Sequence, residues 1–223
     1  MKNITDIHSH INYQVDDGSD SIETSIQMLK KEYEQGVENV ILTPHFHLGE
    51  CMPKSETVKA HFEVLLDKMA DIIPGMKLYL GNEIMWCSEA VQMLDAGQLY
   101  TLADTKYVLI EFYPTAPYSE MEKAISLLLN YGYIPIVAHC ERYQCLRTAF
   151  KIINEGHIRH LIDMGAYMQV NVTSVFGKEN RFVSKLINKD LLHFVASDAH
   201  GLETRSVQWD KCLRYLEKKY NNE

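Results

Sequence analysis

The chain has 223 residues, 46% of them hydrophobic and 23% charged, enough for one well-packed domain and too apolar for a disordered one. A formal net charge of −8 with no basic run makes the chain a poor binder of nucleic acid or membrane surfaces by charge alone, and no apolar stretch approaches the ~18 residues of a membrane span. A start without the apolar centre of a signal peptide, and five scattered cysteines that make no disulfide framework, point to a cytoplasmic protein, a composition also compatible with a homo-oligomer.

Strands and helices are expected in alternation. The first strand spans 5–10. Asp20 with Glu23 resembles a capping pair, and Ile22, Ile26, Leu29 and Tyr33 recur at helical spacing until Gly36. The apolar run 40–43 has the character of a strand buried on both faces, as in parallel sheets. A helix over 55–73, with Val58, Phe62, Leu65, Leu66 and Met69 on one face, stops at Pro74-Gly75. A strand at 77–81 and a short helix at 88–96 follow. Then come strand 107–111, helix 119–131, strand 134–138, a helix over 146–164 with a break near Gly156, strand 168–172, helix 180–188, strand 193–197 and helix 207–220. About seven βα units of this kind imply a parallel sheet, open or closed into a barrel, in one α/β domain spanning 1–223.

Side chains able to bind metal fall at the carboxyl ends of these strands. His8 and His10 end the first, His45 follows the second, Glu83 the third, Glu111 ends the fourth, His139 the fifth, and Asp198 and His200 follow the seventh. That end is the active face of barrels and open sheets alike. The sixth strand ends near Asn171, which carries no assignment. Residues i and i+2 of a strand point to one side, so His8 and His10 can reach one ion; Asp198 and His200 repeat the spacing, on the same ion or another. A single such pair is equally well explained as two satisfied polar residues. Seven or eight nitrogen and oxygen ligands at successive strand ends indicate a metal site. No cysteine joins the set, and hard oxygen with imidazole suits Mn, Fe or Zn. Spacing alone does not choose between Asp16, which has the character of a turn residue, and Asp17.

In chain order, Asp6-Ile7-His8-Ser9-His10, Val15-Asp16-Asp17-Gly18, Thr43-Pro44-His45, Gly81-Asn82-Glu83, Ala138-His139-Cys140-Glu141-Arg142 and Ser197-Asp198-Ala199-His200 resemble the polymerase-and-histidinol-phosphatase (PHP) superfamily. More narrowly, they resemble its manganese-dependent bacterial protein-tyrosine phosphatases, which are encoded with capsule and exopolysaccharide tyrosine kinases. The resemblance runs from Thr5 to about Arg205. It implies a distorted (β/α)7 barrel of PHP type with up to three divalent ions, Mn²⁺ first and Fe or Zn as alternatives. It also implies a phosphotyrosine protein as substrate, a cognate tyrosine kinase, attacked by metal-activated water. One ion would take His8, His10, Glu83 and Asp198. Glu83 would bridge to a second, held by Glu111 and His139, and a third would take Asp17, His45 and His200. Arg142 and Arg205 match phosphate-contacting arginines. Where many members carry a second histidine directly after Thr-Pro-His, this chain has Phe46, with His47 next; His47 fits either the site or a loop. Three divalent ions against the carboxylates of Asp17, Glu83, Glu111 and Asp198 would leave the site net positive, which suits a phosphomonoester dianion in an acidic protein.

Cysteine-dependent phosphatases place Arg six residues after the nucleophilic Cys. Here those positions hold Thr57, Met93, Leu146, Lys151 and Lys218, which excludes that chemistry. Cys140 is expected in the core, His157 and His160 on the surface, and His61 and His193 in structural roles. Tyr113 and Tyr118 follow Glu111 in a loop that could shape an aryl pocket. A small-molecule phosphatase of histidinol-phosphate type would use the same ligands, and a metal-binding regulator without turnover would keep them. A nuclease or editing domain would need the basic stripe this chain lacks.

Overall fold

The structure, a computed structural model, describes residues 3–148 and 152–220. Helix α1 (Ile22–Glu34) begins where Ser21, in extended conformation, accepts the Thr24 amide at 3.2 Å. Asp20 instead accepts the hydroxyls of Ser21 and Thr24, so the cap lies one residue later than the expected Asp20–Glu23 pair. The other long helices are α2 (Ser55–Ile72), α4 (Tyr118–Asn130) and α8 (Trp209–Tyr220), with α3 (Ala90–Asp95) short, as expected. The expected helix 146–164 is shorter. A 3₁₀ turn covers Gln144–Leu146, residues 149–151 lie outside the described residues, and α5 (Glu155–Met164) starts only where the Asn154 side chain caps the His157 amide. An unexpected helix, α6 (Val172–Phe176), follows directly on a strand, before α7 (Asn180–Ile187).

Every strand pairing is parallel. One sheet has the order β1 (Ile4–Ser9), β2 (Val37–Leu42), β4 (Lys77–Leu80). The other runs β3 (His45–Phe46), β5 (Glu83–Met85), β6 (Tyr107–Glu111), β7 (Ile134–Val137), β8 (Tyr167–Asn171), β9 (Phe194–Ala196). The seven expected strands are all present, but two are broken. β2 passes through Thr43-Pro44 into β3, and β4 through Gly81-Asn82 into β5, so each leaves one sheet and joins the other. Pro44 has no amide to donate to a ladder. Its carbonyl accepts from the Glu83 amide at 3.2 Å and from Asn82 Nδ2 at 3.0 Å. The breaks place His45 and Glu83 directly side by side as register partners.

The two outer strands also meet. The Asp198 amide donates to His8 O and the His10 amide to Ala199 O, both at 2.9 Å. Beneath them Asp6 Oδ1 accepts the amides of His8 (3.3 Å) and Ser197 (3.0 Å). The parallel sheet is thereby curled until its first strand touches its last. Helices pack outside it on a core that includes Leu29, Leu65, Met121, Leu128 and Leu161, all fully buried. A second apolar cluster takes Ile7, Ile41, Leu109, Ile136 and Ala196 from five strands. Leu109 lies two residues before Glu111 and Ala196 two before Asp198, so this cluster is an apolar floor under the polar strand ends. Among the described residues no helix is long and apolar enough to cross a membrane.

Gly18 is a point where close packing requires glycine. Its neighbour Ser19 donates to His10 O at 3.0 Å, and a Cβ on Gly18 would overlap that same carbonyl. Gly18→Ala is expected to destabilise the protein by about 2 kcal/mol or more, read as a lower Tm in thermal unfolding. An unchanged Tm would show that the loop beside His10 moves aside freely.

Candidate active site

Four overlapping groups of donor atoms gather at the strand ends, each group within 4.8 Å. They are His8, His10, Glu83, Asp198; Glu83, Glu111, His139; His10, Asp17, His45, His200; and His45, His47, Glu111. Glu83 sits at the centre and is fully buried. Its Oε2 lies 3.1 Å from both His8 Nε2 and His10 Nε2 and 3.0 Å from His45 Nδ1, while its Oε1 lies 2.7 Å from His139 Nε2. Glu111 is similarly divided: Oε1 meets His45 Nδ1 at 3.0 Å and His47 Nε2 at 2.5 Å, and Oε2 faces His139 Nε2 at 3.5 Å. All nine residues expected as ligands therefore converge, and His47 joins them.

Crowding sets the electrostatics. Burial opposes charge on Glu83, yet His8 and His139 hold its carboxyl well below the usual range. Burial and Glu83 both push Glu111 upward, but the His139, His45 and His47 rings beside it outweigh them and keep it low. Burial lowers His10, but Asp16 at 2.7 Å overrides it and raises the ring to about 9. Against the same burial, Glu111 and Glu83 raise His45 to about 11, and Glu83 raises His139 to about 9. Burial, with His10 beside it, lowers His200 to about 2.

The adjacent aspartates are distinguished by the fold. The Asp16 side chain is buried, bonded through Oδ2 to His10 Nδ1 and to the His45 amide at 2.9 Å. Asp17 is 65% exposed, with Oδ1 3.4 Å from His200 Nε2 and 3.6 Å from His45 Nε2. Both arginines reach the cluster on one carboxylate. Arg142 Nη2 lies 2.5 Å from Asp198 Oδ2, and Arg205 Nη2 lies 2.9 Å from Asp198 Oδ1. His139, Asp198 and Arg205 all have left-handed backbone (φ 30°, 52° and 47°), uncommon outside glycine and typical of functional sites. Tyr113 is exposed at the rim. Tyr118 is turned away, stacked on His157 with its hydroxyl 2.8 Å from His160 Nδ1.

The donor set fits divalent cations. It offers imidazole nitrogen and carboxylate oxygen and no thiolate. Glu83 Oε2, His45 Nδ1 and His200 Nε2 are buried without a hydrogen-bond partner, and all three face neighbouring donor atoms of the cluster.

Comparison with known proteins places this architecture. The model of the family described as "Capsular polysaccharide synthesis, CpsB/CapC" matches residues 4–223. This chain belongs to the CpsB/CapC family. It is 34% identical over 224 residues to the tyrosine-protein phosphatase CpsB of Streptococcus pneumoniae, covering 96% of this chain and 90% of that protein. It is also 34% identical to the tyrosine-protein phosphatase YwqE of Bacillus subtilis, covering 98% and 85%. A solved structure from work on these two proteins, described as metal-dependent tyrosine phosphatases, superposes with a TM-score of 0.86 at 34% identity, covering 99% of this chain and 89% of that one. Histidinol phosphate phosphatase of Lactococcus lactis shares the fold alone: TM-score 0.58 and 16% identity, covering 98% and 93%.

Two residues of this CpsB/CapC chain have a part in the site that the sequence does not assign: Gln169, which it does not single out, and Asn171, which it leaves without a role. Gln169 Oε1 accepts the His139 amide at 2.7 Å and lies 3.3 Å from His8 Nδ1. Its Nε2 donates to Asn171 Oδ1, and Asn171 Nδ2 donates to Asp198 Oδ2 at 2.6 Å. Both are buried and fix the rings and carboxylate that face the cluster. Their signal was the same i, i+2 spacing at a strand end that marks His8 and His10. Gln169→Leu is expected to weaken divalent-metal affinity ~10- to 100-fold with the fold retained, measured by metal titration; unchanged affinity would remove Gln169 from the support of the cluster.

A pH dependence follows from the raised histidines. In chelator-treated protein, His10 and His139 contribute stability that is present in full below pH ~6.5, the ordinary histidine value, and is lost as pH rises through about 9. Adding Mn²⁺ is expected to reverse that loss, because neutral imidazoles bind metal, and to release protons at pH 7. Parallel stability curves with and without metal between pH 7 and 10 would contradict this.

Proposed function

We propose that this chain is a metal-dependent protein-tyrosine phosphatase of capsular or exopolysaccharide synthesis. The observation that carries the reading is the meeting of four donor groups with two guanidiniums at one mouth. One domain spanning 1–223 forms a distorted (β/α)7 barrel of PHP type, with β2/β3 and β4/β5 each counted as one broken strand. It would hold three divalent ions, Mn²⁺ before Fe or Zn. The first takes His8, His10, Glu83 and Asp198; the second Glu83, Glu111 and His139; the third Asp17, His45 and His200, with His47 beside Glu111. The substrate is phosphotyrosine on a cognate tyrosine kinase in the cytoplasm.

Bound there, such cations supply Lewis-acid activation of water and neutralise phosphoryl charge. The chain supplies the rest. Arg142 and Arg205 present forked guanidiniums that match phosphoryl oxygens two at a time, and Asp198 holds both at the mouth. Asp16 engages His10 Nδ1 and so turns Nε2 toward Glu83; Gln169 does the same for His8. Burial pushes all five thiols upward, Cys140 well above its ordinary value and Cys212 to about 12, so none is an activated nucleophile. Hydrolysis therefore does not run through a cysteinyl-phosphate intermediate.

The deciding experiment compares kcat/KM on a phosphotyrosine peptide and on histidinol phosphate, with a clear preference for the peptide expected; the reverse preference would assign a small-molecule phosphatase. EDTA is expected to abolish turnover and Mn²⁺ to restore it. Glu83→Ala should lose bound metal as well as activity, since both its oxygens face donor groups. Arg142→Lys should keep full metal content while kcat/KM falls roughly 30- to 1000-fold, by analogy with other preorganised donors. Unchanged kinetics would return Arg142 to a surface ion-pair partner.

A further inference from the structure

The mouth of the cluster is chemically two-sided. Arg142 follows β7 and Arg205 follows β9, and both bond Asp198. The other side, built on β3 and β6, has no arginine on the loops that follow these strands and exposes three large apolar side chains. Leu48 (43% exposed) and Met52 (52%) stand on the turn after β3, and Tyr113 (52%) on the loop after β6. The turn is a defined structure. His47 and Cys51 exchange backbone hydrogen bonds at 2.7 and 2.9 Å, and Gly49 takes the left-handed conformation (φ 85°) that closes it. The Tyr113 hydroxyl donates to Glu50 Oε1 at 3.2 Å and ties the two loops together. Both are rooted in the cluster itself: Leu48 follows His47, which meets Glu111, and Tyr113 lies two residues past Glu111.

We infer that Leu48, Met52 and Tyr113 form the seat for the aromatic ring of the substrate, and so set the preference for aryl over alkyl phosphomonoesters. This rests on the phosphatase reading above. The imidazoles, carboxylates and guanidiniums of the cluster recognise a phosphoryl group, which every phosphomonoester carries. They contain nothing that separates a phenyl ester from an alkyl one. A phenyl ring brings apolar area that gains only where apolar surface covers it. With the phosphoryl group drawn toward the arginines, the ester substituent points away from them, toward the side where exposed apolar surface is concentrated. Tyr118, the other candidate for this role, is spent on His157 and His160.

The test uses the Mn²⁺-loaded enzyme and the Leu48→Ala, Met52→Ala, Tyr113→Ala triple variant, all at exposed positions. Three substrates are compared: phenyl phosphate, a phosphotyrosine peptide and glycerol phosphate. The ratio of variant to wild type on each substrate cancels the differing reactivity of the leaving groups. The expected result is a fall in kcat/KM of roughly 10- to 100-fold on both aryl substrates, carried mainly by KM, against less than about threefold on glycerol phosphate, with metal content unchanged. Tyr113→Phe, which keeps the ring and loses only the Glu50 bond, should retain most aryl activity. Equal losses on all three substrates, or no loss on any, would overturn the seat. A loss on the peptide alone, with phenyl phosphate unaffected, would also overturn it and assign the rim to polypeptide docking. A wild-type enzyme that hydrolyses none of the three would instead defeat the phosphatase reading.

Discussion

Glu83, Glu111 and Asp198 bring three carboxylates into one buried cluster, and the strand ends of this fold can exist only where cations meet them. An unpaired buried charge costs several kcal/mol, more than most single interactions in a protein can repay. The cations are supplied from all round the sheet: imidazoles from β1, β3 and the ends of β7 and β9, and guanidiniums from the segments after β7 and β9. No one segment could do this. The site depends on a sheet curled far enough for its first strand to face its last.

That dependence explains features that look like defects. Pro44 contributes no amide to the ladder at the first interruption, yet the two interruptions set His45 and Glu83 side by side. The left-handed backbone of His139, Asp198 and Arg205 is held by the same dense bonding that the cluster requires. The buried amides of Gln169 and Asn171 add rigidity without adding charge, which a cluster already crowded with ionisable groups could not accommodate.

The alternation of strands and helices was legible because buried helices repeat their apolar residues at 3.6-residue spacing and buried parallel strands read as continuous apolar runs. The candidate ligands were legible because ionisable side chains at the ends of such runs have no structural reason to recur. The breaks inside two strands were not legible, since Pro44 and Asn82 sit in motifs that mark a strand's end equally well. Asp16 and Asp17 could not be told apart because neighbours in a turn differ only in direction, which the His45 amide decides. Asn171, at the end of the sixth strand, carried no assignment and Gln169 drew no attention, because amides carry no charge to stand out. The start of α5 was placed too early because the apolar residues before Asn154 mimic a helical face, and α6 was hidden by the β-branched Val172, Thr173 and Val175, which favour strands.

The seam between β1 and β9 has a consequence for how the molecule is made. Asp6 binds the amide of Ser197 across a sequence separation of 191 residues, and His8 and His10 meet Asp198 across nearly as many. Contacts of such long range confer high contact order, and their loop-closure entropy must be met before they return any stability. On a ribosome, the first histidine pair emerges long before the last strand that completes its surroundings. Ring closure is therefore expected late in folding, and a truncated nascent chain, however much of its helical exterior has formed, carries the first half of a centre with nothing to close it.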